Sequence, residues 1–303
     1  ANRLDVPAAQ IQSPTRARNS TLEWRNVNIL PGVGTADGLP ADSSGSHYYA
    51  ARSTDSARLS IPNPASKNLE TEKFLFYRGA GHFKAPLEVA LGGSEEYLSL
   101  ANTGGETLEH LFVLQIQKGQ ARFSYLRALM AGDSKPVKVS QIRPKGLGEI
   151  QPEIEGKLAK ALEEQGLYGK EAKAMVATWH DSWFGEEGLR VLYILNGKWA
   201  DRVLPLTITP TPDTTVRVMV GRAEVITPNM EWQLLQQIAR FASPDDAIRR
   251  SAIDEARKIG LGRFAEPAVR RVIGKNPSKE FSQLAYSLLQ ESSKRENPKP
   301  LAS

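Results

Sequence analysis

The apolar residues of this chain keep two different periods in alternating blocks, and that alternation limits the fold more than any single motif. From residue 73 to 131 they fall in short runs of strand length, separated by Gly92-Gly93, Gly104-Gly105 and Lys118-Gly119. The two-residue Lys118-Gly119 gap is a tight-hairpin signal. From 151 to 184 the spacing becomes helical. Ile154, Leu158, Ala161 and Leu162 share a face, and Ala172, Met175, Val176, Trp179 and Trp183 form an apolar stripe, with Gly185 placed as its closing glycine. Strand spacing returns over Leu189–Leu195, Arg202–Pro210 and Val216–Ile226, and residues 228–295 read as helix throughout. Two β blocks with helices between and after them predict an α+β chain. The expected architecture is an antiparallel β-sandwich-like sheet with inserted helices and a C-terminal helical bundle.

The boundaries follow from the same pattern. Residues 1–70 are rich in Pro, Ser, Asn and Gly, yet carry Trp24, Tyr48 and Tyr49. They read as an extended arm that packs on the domain, with short strands at Thr21–Ile29 and His47–Arg52. Residues 71–131 form the first β block, opened by Lys73–Arg78, which is apolar on both sides and suits a central strand. Residues 132–150 read as a linker. Residues 151–227 add helices and the second β block to the same domain. Residues 228–303 form the C-terminal helical region. There, Ser243-Pro244-Asp245-Asp246 starts a helix and Gly260-Leu261-Gly262 breaks it, a helix–Gly–helix unit that resembles one HEAT-type repeat.

Composition excludes several function classes. Hydrophobic residues make up 40% and glycines number 24, an ordinary globular balance that rules out wholesale disorder. No run reaches the roughly 18 apolar residues of a membrane-spanning helix. The absence of cysteine removes disulfide frameworks, Cys-ligated zinc, iron–sulfur clusters and thiol catalysis together. The net charge of +5 is uneven: from Arg240 onward there are 13 Lys and Arg against 8 Asp and Glu, and the rest of the chain is balanced. A basic helical tail suits an anionic surface or a protein partner; without interleaved aromatic platforms it does not suit nucleic acid.

Strong chemical motifs are absent. No Gly-Lys pair is followed by Ser or Thr, no Gly-x-Gly is completed to a dinucleotide fingerprint, and there is no Gly-x-Ser-x-Gly elbow. The densest reactive stretch is Trp179–Glu187. His180, Asp181, Glu186 and Glu187 could serve a metal-dependent hydrolase, but positions i+3 and i+4 from His180 are Trp183 and Phe184, so no second ligand shares its helix face. No catalytic residue, metal or cofactor is therefore assigned. A second pattern is aromatic and basic. Tyr48, Tyr49 and Arg52, then Tyr77, Arg78 and His82, bring together residue types that dominate protein contact surfaces. Arg217, Arg222 and Glu224 pose the same question in a later strand.

Four phrases resemble those of a group of bacterial proteins, many of them exported: His47–Arg52 (HYYAAR), Glu72–Gly81 (EKFLFYRGAG), Arg190–Tyr193 (RVLY) and Arg217–Glu224 (RVMVGRAE). The resemblance spans residues 45–228. It brings no activity, cofactor or catalytic residue, and implies a cell-envelope setting, periplasmic or extracellular. Zero cysteine fits that setting and a cytoplasmic one equally. The reading is a non-enzymatic binding or assembly module that engages a protein partner, or itself, through the aromatic and arginine surface and the basic tail.

Overall fold

The computed structural model describes residues 21–30, 39, 47–63, 68–77, 83–92, 97–261 and 264–293. Its centre is a five-stranded antiparallel sheet built on one long hairpin. Strands β6 (Leu108–Gln117) and β7 (Gln120–Leu129) meet at Lys118 and Gly119, both of which have positive φ, as a two-residue hairpin with the twist of its strands requires. β10 (Gly188–Leu195) pairs with β6, β11 (Met219–Val225) pairs with β10, and the short β9 (Lys145–Gly146) closes the other edge. A separate three-stranded sheet contains β4 (Leu87–Leu91), β5 (Leu98–Asn102) and β8 (Ser134–Val137), in that order.

Period-two alternation divides the central strands between two cores. Leu111 and Val113 of β6, with Val191, Tyr193 and Leu195 of β10, share a buried cluster with Leu87, Leu98, Leu100 and Val137 of the small sheet. Phe112, Leu114 and Ile116, with Leu192 and Ile194, face the other way. They pack against Ile154, Leu158 and Leu162 of α1 (Leu147–Glu164) and Ala172 and Val176 of α2 (Gly169–His180). Both faces of β6 and β10 are thus covered, which explains their nearly continuous apolar sequences.

The C-terminal helices are α4 (Pro228–Phe241), α5 (Asp246–Lys258), α6 (Ala265–Lys275) and α7 (Lys279–Ser293). They enclose their own cluster of Leu234, Ile238, Val269, Val272, Ala285 and Leu288, joined by Ile226 from the segment after β11. Thr227 caps α4, accepting the Met230 N–H at 3.2 Å. Asp245, and not Ser243, caps α5, accepting the Ala247 N–H at 2.7 Å.

Several expectations need correction. His47–Arg52 is no strand: His47–Ser53 is a 3-10 helix. Its side chains three apart eclipse one another, and the Arg52 guanidinium lies 3.9 Å from the Tyr49 ring centre. The strand expected over Thr21–Ile29 shrinks to β1 (Asn28–Leu30). β1 pairs with β2 (Arg58–Pro62), which pairs with β3 (Leu69–Glu72), in a second three-stranded sheet. β3 ends before Lys73–Tyr77, so the apolar run read as a central strand lies outside the sheets, with Leu75, Phe76 and Tyr77 exposed. The linker at 132–150 contains β8, a 3-10 turn at Val139–Gln141 and β9. Arg202–Pro210 forms no strand: α3 (Gly197–Val203) takes its start, and residues 204–218 are irregular.

Candidate interaction surface

Aromatic rings from three stretches of chain meet beside α2. Tyr48 packs on Phe76 at 4.3 Å and edge-on to Trp179 at 6.0 Å. His47 lies 4.1 Å from Tyr48 and 6.0 Å from Trp179. Trp24 meets Tyr77 edge-on at 6.0 Å, and Trp179 stacks on Trp183 at 6.3 Å. Trp179 extends the apolar stripe of α2, and Trp183 lies in the π-helical turn Asp181–Gly185 that replaces the expected glycine stop. Tyr48 and Tyr49 are half-buried in this assembly. Tyr77 remains 53% exposed, and Phe76, Leu75, Leu22, Ile29 and Leu69 also stand in solvent.

Arg52 is held by an acidic neighbour. Its Nε lies 3.0 Å from both carboxylate oxygens of Glu72, and its terminal nitrogen lies 2.5 Å from Oε2. The pair is mostly buried and ties the 3-10 helix to β3. Lys73, also buried, donates to the Thr54 carbonyl at 2.5 Å. These cations hold the arm together. Arg78 and His82 lie outside the described residues.

The four residues of the hydrolase alternative do not converge. His180 Nδ1 lies 2.9 Å from Asp181, and its Nε2 lies 2.5 Å from the Gln151 amide and 3.3 Å from Glu155. Glu186 accepts from Arg222 at 2.7 Å. Glu187 accepts the Lys118 N–H at 2.8 Å, capping the β6–β7 hairpin. Among the described residues, no group of three or more His, Cys, Asp or Glu is arranged to hold a metal.

Glu186 leads into a buried ionic knot that sequence reading reached only through Arg222 and Glu224. Arg190, fully buried on the helix-covered face of β10, donates to the carbonyls of Trp183 at 3.0 Å and Glu187 at 2.8 Å, and to Glu224 at 3.2 Å. Burial, and secondarily Arg222, lowers its hold on its proton against the opposing pull of Glu224. Arg222 binds Glu224 at 2.9 Å and the Ser182 hydroxyl at 2.8 Å. Its guanidinium lies 5.0 Å from the Phe264 ring at the entrance to α6. The knot clamps the π-helical turn to the sheet edge and the sheet to the helical region. The strand period puts Arg190, Arg222 and Glu224 on one face, which is the signal that could have found it.

A groove of about 890 Å³ opens at the ends of the central strands, lined by Phe83, Trp199, Glu106 and Arg202 among others. Its acids are engaged. Glu106 accepts from Arg202 at 2.7 Å and Asn196 at 3.2 Å, and these bonds hold its carboxyl below the usual range against burial. Glu109 accepts from Gln165 at 2.8 Å. Next to it, His110 is buried at a slip in the β6–β10 register, with φ of 53°. Its ring meets the Tyr125 hydroxyl at 2.8 Å, Glu164 at 3.3 Å and the Arg127 guanidinium. Burial, then the Arg127 charge, pushes the imidazole pKa below its ordinary 6.5, outweighing Glu164 and Glu109.

Among the described residues, several cations of the C-terminal region are paired with acids of its own helices. Arg249 meets Asp246, Arg257 meets Asp254, Lys258 meets Glu255 and Arg270 meets Glu266. Arg271 and Lys275 converge on the buried Glu231. No helix among the described residues is long and apolar enough to cross a membrane. Comparison with models of protein families, with curated proteins and with solved structures finds no match for this chain.

Proposed function

We propose that this chain is a non-enzymatic binding or assembly module of the bacterial cell envelope, and that it engages protein through the arm. The single observation that carries this reading is the set of large apolar side chains left exposed along the arm and its continuation, between residues 22 and 77. Leu22, Ile29, Leu69, Leu75, Phe76 and Tyr77 all stand in solvent there. Beneath them the ring contacts and the Arg52–Glu72 pair fix the backbone that presents them. Rigid aromatic residues on a supported frame lose little entropy on contact, which is why they anchor interfaces. The reactive residues point the same way, since His180, Glu186, Glu187 and Glu106 are each engaged by neighbours in separate places.

In this reading the two sheets that share the first core form the sandwich-like body that carries the arm. Several cations of the C-terminal helices are held in local pairs, and the net positive charge of the region remains available to an anionic surface or partner. The envelope setting rests on the four shared phrases. Sedimentation velocity over a concentration series tests the reading. The wild type is expected to self-associate, and Phe76→Ser/Tyr77→Ser to sediment as a monomer with an unchanged circular dichroism spectrum. Identical association by the double variant would overturn the role of this face.

A further inference from the structure

The arm is not the only part of the surface that looks built for contact. Residues 205–216, between α3 and β11, are exposed without interruption. No backbone hydrogen bond among the described residues involves them. The stretch Pro205–Ile208 runs without a turn or bend. Leu204, Leu206 and Ile208 keep the period of a strand, and Leu206 and Ile208 are 52% and 45% exposed. A strand-patterned segment with open backbone groups and solvated aliphatic side chains is a template for pairing.

Its prolines define which edge can pair. Successive N–H groups of an extended strand point to opposite edges. Pro205 blocks the edge it shares with Thr207 and Thr209, and proline has no N–H to give. The opposite edge keeps the N–H groups of Leu206 and Ile208 and is then blocked at Pro210 and Pro212. Pairing is thereby confined to the three residues Leu206, Thr207 and Ile208.

The same chain offers an acceptor of that length. Among the described residues β1 is the outer strand of its sheet, three residues long, with all of Asn28, Ile29 and Leu30 exposed. It carries no charge and no proline, the usual devices that keep an edge from pairing. Leu204–Pro212 carries no charge either. We infer that the Leu206–Ile208 segment of one copy adds as a fourth strand to the β1 edge of a second copy. This rests on the reading of the arm as a protein-contact face. The contact joins two different surfaces, so it closes where two copies exchange segments reciprocally and otherwise propagates as a larger ring or open chain.

The cysteine-free sequence allows a direct test. Ile29→Cys and Ile208→Cys are made as separate variants of the full chain, mixed, and oxidised under mild conditions. The mixture is expected to give a disulfide-linked heterodimer in excess over either homodimer. The double variant carrying both cysteines is expected to give disulfide-linked dimer or higher species in excess over monomer. Only homodimers, or only monomer, would overturn the inference. If the mixture fails to cross-link while the wild type self-associates and Phe76→Ser/Tyr77→Ser does not, the arm reading survives and the strand-addition geometry alone is lost. Ile208→Asp gives a second check: loss of higher species in sedimentation is expected, and their persistence counts against the segment.

Discussion

Removing Glu231 and removing its two cationic partners delete the same ion pairs, yet the two perturbations leave different things behind. Glu231 is buried, whereas Arg271 and Lys275, which bind it, are 56% and 60% exposed. In Glu231→Gln the cations turn to water, and the amide keeps one acceptor for them. The loss is the difference between charged and neutral hydrogen bonds, screened at the surface, or about 1–2 kcal/mol. In Arg271→Ala/Lys275→Ala a carboxylate stays buried without compensation, and the expected loss is about 3–5 kcal/mol. Urea unfolding followed by helical circular dichroism measures both.

The two losses should also respond to acid differently. Burial resists ionisation of Glu231, but Lys275 and Arg271 outweigh it and hold the carboxyl below its ordinary 4.5. Its stabilising contribution is therefore complete above about pH 4.5 and disappears as pH falls through the lowered value. The penalty of the double cation variant should begin to shrink already above pH 4.5, because burial alone then acts on the orphaned acid and makes it take up a proton more readily than a free carboxylate. Equal losses at neutral pH, or a larger loss for Glu231→Gln, would refute the claim that burial of one partner sets the energetics.

Other perturbations probe the central sheet. His110 is held neutral, so stability should be complete above its ordinary pKa of 6.5 and decline as pH falls below it toward the depressed value. His110→Asn, which tolerates positive φ, should lose that dependence; an unchanged slope between pH 7.5 and 5 would show that other groups cause it. Gly221 faces Tyr193, whose ring atoms would lie 2.3–2.7 Å from an added Cβ. Gly221→Ala should therefore cost about 1–3 kcal/mol through forced repacking of a buried ring, and an unchanged melting temperature would refute the close contact.

The legible parts of the fold were those where one strong local preference acted alone. Lys118-Gly119 announced the hairpin because two positive φ angles in sequence have few other uses. The stripe Ala172–Trp183 announced α2, and Pro228 marks the start of α4. The illegible parts involve competition. Lys73–Tyr77 has strand composition, but its rings pack sideways on Tyr48 and Trp24, and Lys73 donates to Thr54. Arg202–Pro210 alternates like a strand, but Asn196 caps a helix over its start and the prolines deny it a partner within the chain. Arg190 opens one of the shared phrases, but only the β10–β11 register places it beside Glu224. In the contact surface, Tyr77 is an exposed ring, and Arg52 is paired with Glu72, which lies 20 residues away in sequence.

Site-specific photocross-linking tests the account most directly. A benzophenone side chain at position 77 of the chain expressed in cells, compared with one at Lys157 on the exposed side of α1, reports what touches the arm. The account predicts a discrete protein adduct from position 77 and none from position 157. Adducts absent at both positions, or the same at both, would contradict it.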